Sequence, residues 1–454
     1  MKQASNTQAA PLSIATLPLG WRQIRIVLIA SLGQFVGQGL ATLVGIVIPL
    51  MQLALLPELS ALMQGLLGCV SLIGIMIGTL VFGRLSDRYG YLLFFRLCPA
   101  LLTVAAVAAA LLPHPAATAS ALFVMGFAIG GEYSLDPDYI SELMPESWRT
   151  RMVGLAKALA SAGSAAAAAI CLMVLGKWHS PEHWSLLFLV IAGIGAAMVL
   201  LRLRWAESPA WLAERGLDAQ AQAAARKLLD ADVTLPVQTA PKTKTSGMGL
   251  GTFIRTNFRK VILTGVPWAC EGLGVYGIGI FLPVLIMAFG LDGAAEHAGA
   301  MEHIRSSVGL TLILCLVMMA GFALGLILLR RGHPVRLQIW GFVLSAVGLG
   351  VLATATALHW PAWVAIAGFV LFELALNAGP HLVTFVLPSS VYAVEDRGTG
   401  SGIAASVGKA GAVIGAFVIP VLLRDGGVMA VLGVSIAVMA AGAIITIVCR
   451  CAAK

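Results

Sequence analysis

Charge is scarce in this chain. Of its 454 residues only 11% are Asp, Glu, Lys or Arg, while 59% are hydrophobic and the mean hydropathy is +0.93. A soluble domain carries roughly 25% charged residues. Folded in water, this composition would expose large apolar patches, which excludes a soluble enzyme. Disorder is excluded as well, because it needs low hydrophobicity. Cysteine pairs with disulfide or metal-ligand spacing are missing. The seven cysteines lie in or beside apolar runs and read as small buried hydrophobes. Met1 to Gly20 is polar, without a charged region leading into a short apolar one. No cleavable signal is expected, and the first hydrophobic helix directs insertion. No Ser/His/Asp, metal-ligand or phosphate-loop constellation appears. The Gly-Xaa-Gly strings sit in apolar helices rather than after strands, which excludes a nucleotide fold. The expectation is a polytopic membrane protein that is not an enzyme and has no cofactor, metal or nucleic-acid partner.

What is abundant is the apolar run of about 20 residues that spans a bilayer core of ~30 Å. Such runs fall near 24–50, 62–83, 92–112, 119–143, 151–175, 184–203, 260–289, 307–329, 337–357, 361–387, 400–423 and 427–449. The fold class is therefore all-α, with twelve transmembrane helices in two six-helix bundles, 1–203 and 260–454. They are joined by a polar linker, 204–259, with an amphipathic stretch over 208–229 and a Thr/Lys/Gly-rich part over 233–251. Lys and Arg concentrate in the loops of one side: Arg84, Arg88, Arg96, Arg149, Arg151, Arg330, Arg331, Arg336 and Arg397. The other side receives only Lys177, Arg305 and Arg424. By the positive-inside rule both termini and the linker are cytoplasmic. The net charge of +8 is then an orientation signal.

The halves repeat each other. Gly83-Arg84-Leu85-Ser86-Asp87-Arg88-Tyr89-Gly90 follows helix 2, and Gly325 to Gly332 follows helix 8 with Gly, Arg and Gly at the same spacing, 242 residues on. Arg149 to Gly154 after helix 4 matches Arg397 to Gly402 after helix 10, 248 residues on. Two landmarks at nearly one offset imply parallel repeats, with a substrate bound between them at the midplane.

The G-x-x-x-D-R-x-G segment and its weaker second copy resemble the signature of the major facilitator superfamily. Within it, Glu207-Ser208-Pro209-Ala210-Trp211-Leu212 resembles a motif of the sugar-porter branch. Gly130-Gly131-Glu132-Tyr133-Ser134-Leu135, Gly379-Pro380-His381 and Gly408-Lys409-Ala410-Gly411-Ala412 resemble the phosphate:proton symporters. The resemblance spans the chain. It implies a monomeric secondary transporter of the bacterial inner membrane that works with its substrate, protons and the lipid bilayer. It also implies a cytoplasmic latch built on Gly83, Asp87, Arg88 and Gly90. Glu142, Arg149, Arg330 and Arg397 form the accompanying gating charges. Tyr91-Leu92 replaces a basic pair and Leu329 replaces the second acid, so the latch is expected to be lopsided.

Ionisable groups deep in a span cost at least ~2.5–3.5 kcal/mol and mark function. Glu132, Glu271 and Glu373 lie near mid-span, with Asp136 one turn from Glu132 on the same helical face. These four are the proton-coupling candidates, Glu132 first. Lys157, nearer the cytoplasmic end, reads as a snorkelling lysine. Carried over from the phosphate symporters, Tyr133, Trp268, Tyr276 and Lys409 fall on that site's tyrosines, tryptophan and lysine. Glu132 stands for its helix 4 aspartate. The helix 7 aspartate falls on Gly272 beside Glu271, the helix 10 asparagine falls on His381, and the helix 5 glutamine falls near Ala160. Asn377, one turn before His381, joins the substrate-binding set. A cationic Lys409 without the all-polar phosphate cradle points to a larger organic anion. A sugar or polyol, an organic cation, and a facilitator or exporter without symport remain alternatives, as does a non-transporting sensor on the same fold. Trp184, Trp340, Trp360 and Trp363 read as interfacial anchors, Gly272 and Gly274 as sites of close helix approach, and Pro283, Pro388 and Pro420 as kinks.

Overall fold

The computed structural model describes residues 12–54, 60–177, 180–230, 233–234, 250–291, 293, 298–330, 333–392 and 397–453. The side chains of Leu12, Arg84, Asp87, Thr150, Val233, Thr234, Leu250, Ser389 and residues 397–399, 452 and 453 lie outside that description. Among the described residues, ten helical runs are long and apolar enough to cross a bilayer. Pro115–Leu143 adds another, diluted by Glu132 and the acids that follow it. The last run, Arg397–Cys449, is two spans, because Gly427 (φ 68°, ψ −172°) breaks it. Twelve spans result, as the apolar runs predict.

They are α1 (Trp21–Ala54), α2 (Ala61–Tyr89), α3 (Tyr91–Leu111), α4 (Pro115–Leu143), α5 (Arg149–Lys177) and α6 (Phe188–Arg202) in the first half. The second half holds α7 (Phe258–Ile278), α8 (Ala300–Leu329), α9 (Pro334–Ala357), α10 (Ala362–Pro388), α11 (397–426) and α12 (428–449). Between α6 and α7, the amphipathic stretch forms two short helices, Pro209–Ala213 and Asp218–Leu229, the second burying Ala221, Ala224, Ala225 and Leu228. Most of the Thr/Lys/Gly-rich part lies outside the described residues. The only strand pairing described is the parallel match of Leu12–Ser13 with Val233–Thr234.

Within the first half α2 packs on α4, and within the second α8 packs on α10. Across the halves α2 meets α11 and α5 meets α8. Adding six to each helix number of one contact gives the other, so a pseudo-two-fold axis runs between the bundles. The α2–α4 seam is close because Gly78 faces the Phe127 carbonyl and Gly130 faces the Ile75 carbonyl. A Cβ at either position would collide with backbone. Val104, Ile313 and Val448 are exposed on the outside of the bundle, where lipid takes the place of protein. Trp340, Trp360 and Trp363 are exposed as anchors should be. Trp184 is not. It is buried and packs edge-on against Phe188, because the 3₁₀ turn Pro181–Leu187 folds it inward.

Two spans are broken where they face the centre. In α7 the backbone widens into a π-helix over Leu273–Ile278, and Pro283 opens the short helix that follows. Such π stretches are frequent at functional sites. In α10, Gly379 takes φ −108° and ψ −95°, and Pro380 has no N–H to continue the ladder. Pro388 and Pro420 stay within helix.

Candidate functional site

Between the halves lies a cavity of about 570 Å³. It runs from Tyr133 and Tyr276 at mid-span to Gly83 of α2 and Gly402 of α11, at the arginine-rich end of the bundle. At the opposite end the halves are shut together. Gly65 of α2 lies on the carbonyl of Phe417 in α11, an approach that leaves no room for a Cβ. The described state is therefore open toward the arginine-rich end only.

Two ammonium groups enter this cavity. Lys409 Nζ lies 4.6 Å from the centre of the Tyr133 ring and 4.7 Å from that of Tyr276, and donates to the Tyr276 hydroxyl at 3.2 Å. Lys157 Nζ lies 5.3 Å from the Tyr133 ring and 5.9 Å from Phe385. The two tyrosine hydroxyls are 3.4 Å apart. Among the described residues neither lysine has a carboxylate within ion-pairing distance. For Lys157, the buried one of the two, cation–π contacts of about 0.5–2 kcal/mol offset only part of the several kcal/mol that burying an ammonium costs. The expectation for Lys157 is thereby corrected: it is buried at 6% exposure and turns into the cavity rather than toward the membrane surface. Its position near the end of α5 resembles that of a snorkelling lysine, while its ammonium lies instead between Tyr133 and Phe385.

A polar chain runs along α10. Asn377 Nδ2 donates to the Glu373 carbonyl at 2.7 Å and to Glu373 Oε2 at 3.1 Å. Asn377 Oδ1 lies 3.0 Å from His381 Nδ1, and Glu271 Oε1 of α7 is 3.8 Å from the same nitrogen. Residues 373, 377 and 381 share one helical face at four-residue steps. All four side chains are buried, and Glu271 Oε1 has no hydrogen-bond partner among the described residues. Glu271 and His381 line the large cavity. Glu373 and Asn377 line a second one, of about 40 Å³, beyond Tyr276. Trp268 lies on the α11 backbone at Gly408 and meets Phe385 edge-to-face at 6.4 Å, giving the cavity its aromatic wall.

Glu132 stands apart from this group. It is ion-paired with Arg202 of α6 at 2.7 Å, and neither it nor Asp136 lines the cavity. Arg202 is fully buried. It donates to the carbonyls of Ile29 and Ala30, each at 3.2 Å, and lies over Phe95 at 4.8 Å and Trp205 at 5.3 Å. Tyr133 and Glu132, adjacent in sequence, point to different places: one into the cavity, the other into the core of the first half. In the sequence Arg202 is indistinguishable from the positive-inside arginines, being followed at once by Leu203 and Arg204.

At the arginine-rich end Glu207 accepts from the amides of Tyr91 (2.9 Å), Leu92 (3.0 Å) and Ser208 (2.9 Å). It caps α3, whose N-terminal dipole favours an anion. Glu142 accepts from the Tyr91 hydroxyl at 3.1 Å and from the Ser208 hydroxyl. Ser208 in turn caps Trp211. Gly90 sits at φ 88°, which a side chain would resist. The Glu-Ser-Pro segment thus ties the end of α6 to the α2–α3 turn, far from the cavity. Arg88 lies over the ring of Tyr89 at 5.2 Å, and Arg149 Nε donates to the Met144 carbonyl at 3.3 Å. Arg330 is exposed at the end of α8. The side chains of Asp87 and Arg397 lie outside the described residues.

The sequence matches the family described as Sugar (and other) transporter over residues 4–454. It is 25% identical to the inner membrane metabolite transport protein YgcS of Escherichia coli K12, over 87% of this chain and 84% of that one. It is 25% identical to the low affinity inorganic phosphate transporter 3 of Petunia hybrida, over 77% of this chain and 71% of that one. The fold is that of the proton:xylose symporter XylE, with a TM-score of 0.73 at 20% identity and 94% of each chain covered. The partially occluded inward-open conformation of XylE from E. coli gives 0.75 at 18% identity, covering 94% of this chain and 97% of that one.

Proposed function

Since this chain belongs to the Sugar (and other) transporter family, within the major facilitator superfamily, we propose that it carries a small organic anion together with protons. The two six-helix halves rock about the central cavity to expose it to each side in turn. The observation that carries this reading is the pair Lys157 and Lys409. Both ammoniums face one tyrosine, and neither has a carboxylate partner among the described residues. An anion placed between them supplies the charge that the protein withholds.

Glu271 is the coupling group in this account. It is the buried carboxylate that lines the cavity, and it shares the cavity with both lysines. While ionised, it competes with the substrate for the same positive field. Two charges ~6 Å apart at an effective dielectric of ~20 interact by about 3 kcal/mol. Protonation removes the competitor, so proton and anion bind together more tightly than either alone. That coupling is reciprocal by necessity. Glu373, in the smaller cavity, holds the far end of the α10 chain and is the second proton candidate. The ion-paired Glu132 and its neighbour Asp136 serve the architecture of the first half. The arginine-rich end is cytoplasmic in this reading, on the charge distribution of the loops, and the membrane is the bacterial inner membrane, as for YgcS.

A neutral sugar is the second reading, suggested by the family and the Glu207 to Leu212 segment. That segment holds helix ends together and does not reach the cavity, so it speaks for the fold rather than the cargo. Phosphate, the cargo in the petunia relative's name, is small for a cavity with an aromatic wall. Uptake by proteoliposomes of labelled organic acids, sugars and phosphate, with and without an inward proton gradient, tests the proposal. Concentration of an acid only under the gradient supports it. Gradient-driven uptake of neutral sugars alone refutes it.

A further inference from the structure

Asn377 determines which nitrogen of His381 carries the proton. One of its amide contacts is with the main-chain carbonyl of Glu373, at 2.7 Å. A carbonyl only accepts, so the Asn377 nitrogen must face it and the amide is not free to turn over. The atom left 3.0 Å from His381 Nδ1 is then Oδ1, which has no hydrogen to give. His381 therefore donates from Nδ1, and in the neutral ring Nε2 keeps a bare lone pair. Phe322 covers the ring edge-to-face at 4.8 Å, and the ring lines the cavity. Among the described residues the hydrogen bond of His381 is the one at Nδ1, which leaves Nε2 without a protein donor, and the buried Glu271 Oε1 close by has no donor either. The cavity thus offers two ammoniums together with acceptors that lack donors.

We propose that the carried anion is a hydroxy acid, its carboxylate between Lys157 and Lys409 and a hydroxyl of its chain donating to Nε2 of His381. The assignment rests on the anion reading above and narrows it. A ligand that fills the cavity excludes water from this acceptor: a ligand hydroxyl then replaces the lost hydrogen bond, whereas a hydrocarbon chain leaves the acceptor unpaired. A sugar acid suits both sides and lays its C–H face on Trp268. Asn377 is a positioning residue: it holds the histidine tautomer without touching the ligand.

The test uses the purified full-length protein in lipid nanodiscs, titrated with gluconate, hexanoate, glucose and inorganic phosphate. The first three have the same carbon count. Gluconate is expected to bind more tightly than hexanoate and glucose by about tenfold or more, because a site built to receive a hydroxyl rejects the analogue without it. His381→Phe keeps the ring packing and removes the acceptor. It should erase the advantage of gluconate over hexanoate. Asn377→Leu frees the tautomer and should reduce that advantage in part. Equal binding of gluconate and hexanoate overturns the hydroxyl assignment and leaves the anion reading standing. Binding of glucose alone overturns both, and binding of phosphate alone returns the site to the phosphate class. The wild-type series decides the matter even if neither variant inserts.

Discussion

Lys157 and Lys409 hold their ammonium groups over one ring, that of Tyr133, at 5.3 and 4.6 Å. The lysines come from α5 and α11, helices equivalent under the pseudo-symmetry, and Tyr133 comes from α4 of the first half. If the halves rock as proposed, the lysines change how they stand to each other, and a substrate bridging them would sense the conformation of the carrier.

Glu271→Gln imitates the protonated carboxyl. If Glu271 couples the proton as proposed, raising the pH ionises it and weakens anion binding, so affinity should fall from acid toward alkaline conditions. The variant should bind the anion tightly across the series and retain counterflow. It should fail to concentrate substrate under a proton gradient. Binding and uptake measured side by side in the same proteoliposomes check this. Undiminished accumulation would remove Glu271 from the coupling step.

Glu132→Gln should act on stability. It leaves Arg202 buried without its counter-charge, a loss of about 3–5 kcal/mol. Glu132→Leu with Arg202→Met removes both charges and should recover much of the loss. Thermal melts in detergent read the difference. A Glu132→Gln protein that melts like the wild type, yet loses gradient-driven uptake, would restore Glu132 as the coupling group.

Gly65→Leu should hold the closed end apart, since its side chain meets the Phe417 carbonyl. The population shifts toward the state open at that end. A cysteine placed on the cavity wall should then label faster from the side opposite the arginine-rich loops, and net uptake should fall. Unchanged labelling would show that α2 and α11 do not form that gate.

Glu207→Ala strips two amides at the start of α3 of their acceptor. The expected cost is about 1–2 kcal/mol, seen as a lower melting temperature. Substrate affinity should stay unchanged in the folded fraction, because the segment does not reach the cavity. A loss of affinity without loss of stability would mean that Glu207 acts through the transport cycle.

The spans and the repeat were legible in the sequence because bilayer thickness and backbone hydrogen bonding leave few solutions. Tyr133, Trp268, Tyr276, His381 and Lys409 were picked out through the resemblance to the phosphate symporters, and all five line the cavity. What the sequence could not convey is the direction of each side chain. Depth, the family's acid at that position and the neighbouring Asp136 made Glu132 the leading coupling candidate, and none of these reveals that Arg202 reaches it from α6. Lys157 was misjudged for the converse reason, since its distance from the helix end says nothing of the face it occupies. The break at Gly379 and Pro380, which sets His381 against Glu271, combines a glycine with a proline whose joint effect depends on how α10 packs.

The measurement that bears most directly on the central claim is accumulation of the transported acid by Lys157→Gln, Lys409→Gln and the double variant, in proteoliposomes under an inward proton gradient. Each single change should weaken the apparent affinity about tenfold or more, ~1.4 kcal/mol for each factor of ten, and the double variant should neither bind nor accumulate the acid while remaining folded. A double variant that still concentrates the acid against its gradient would contradict the account.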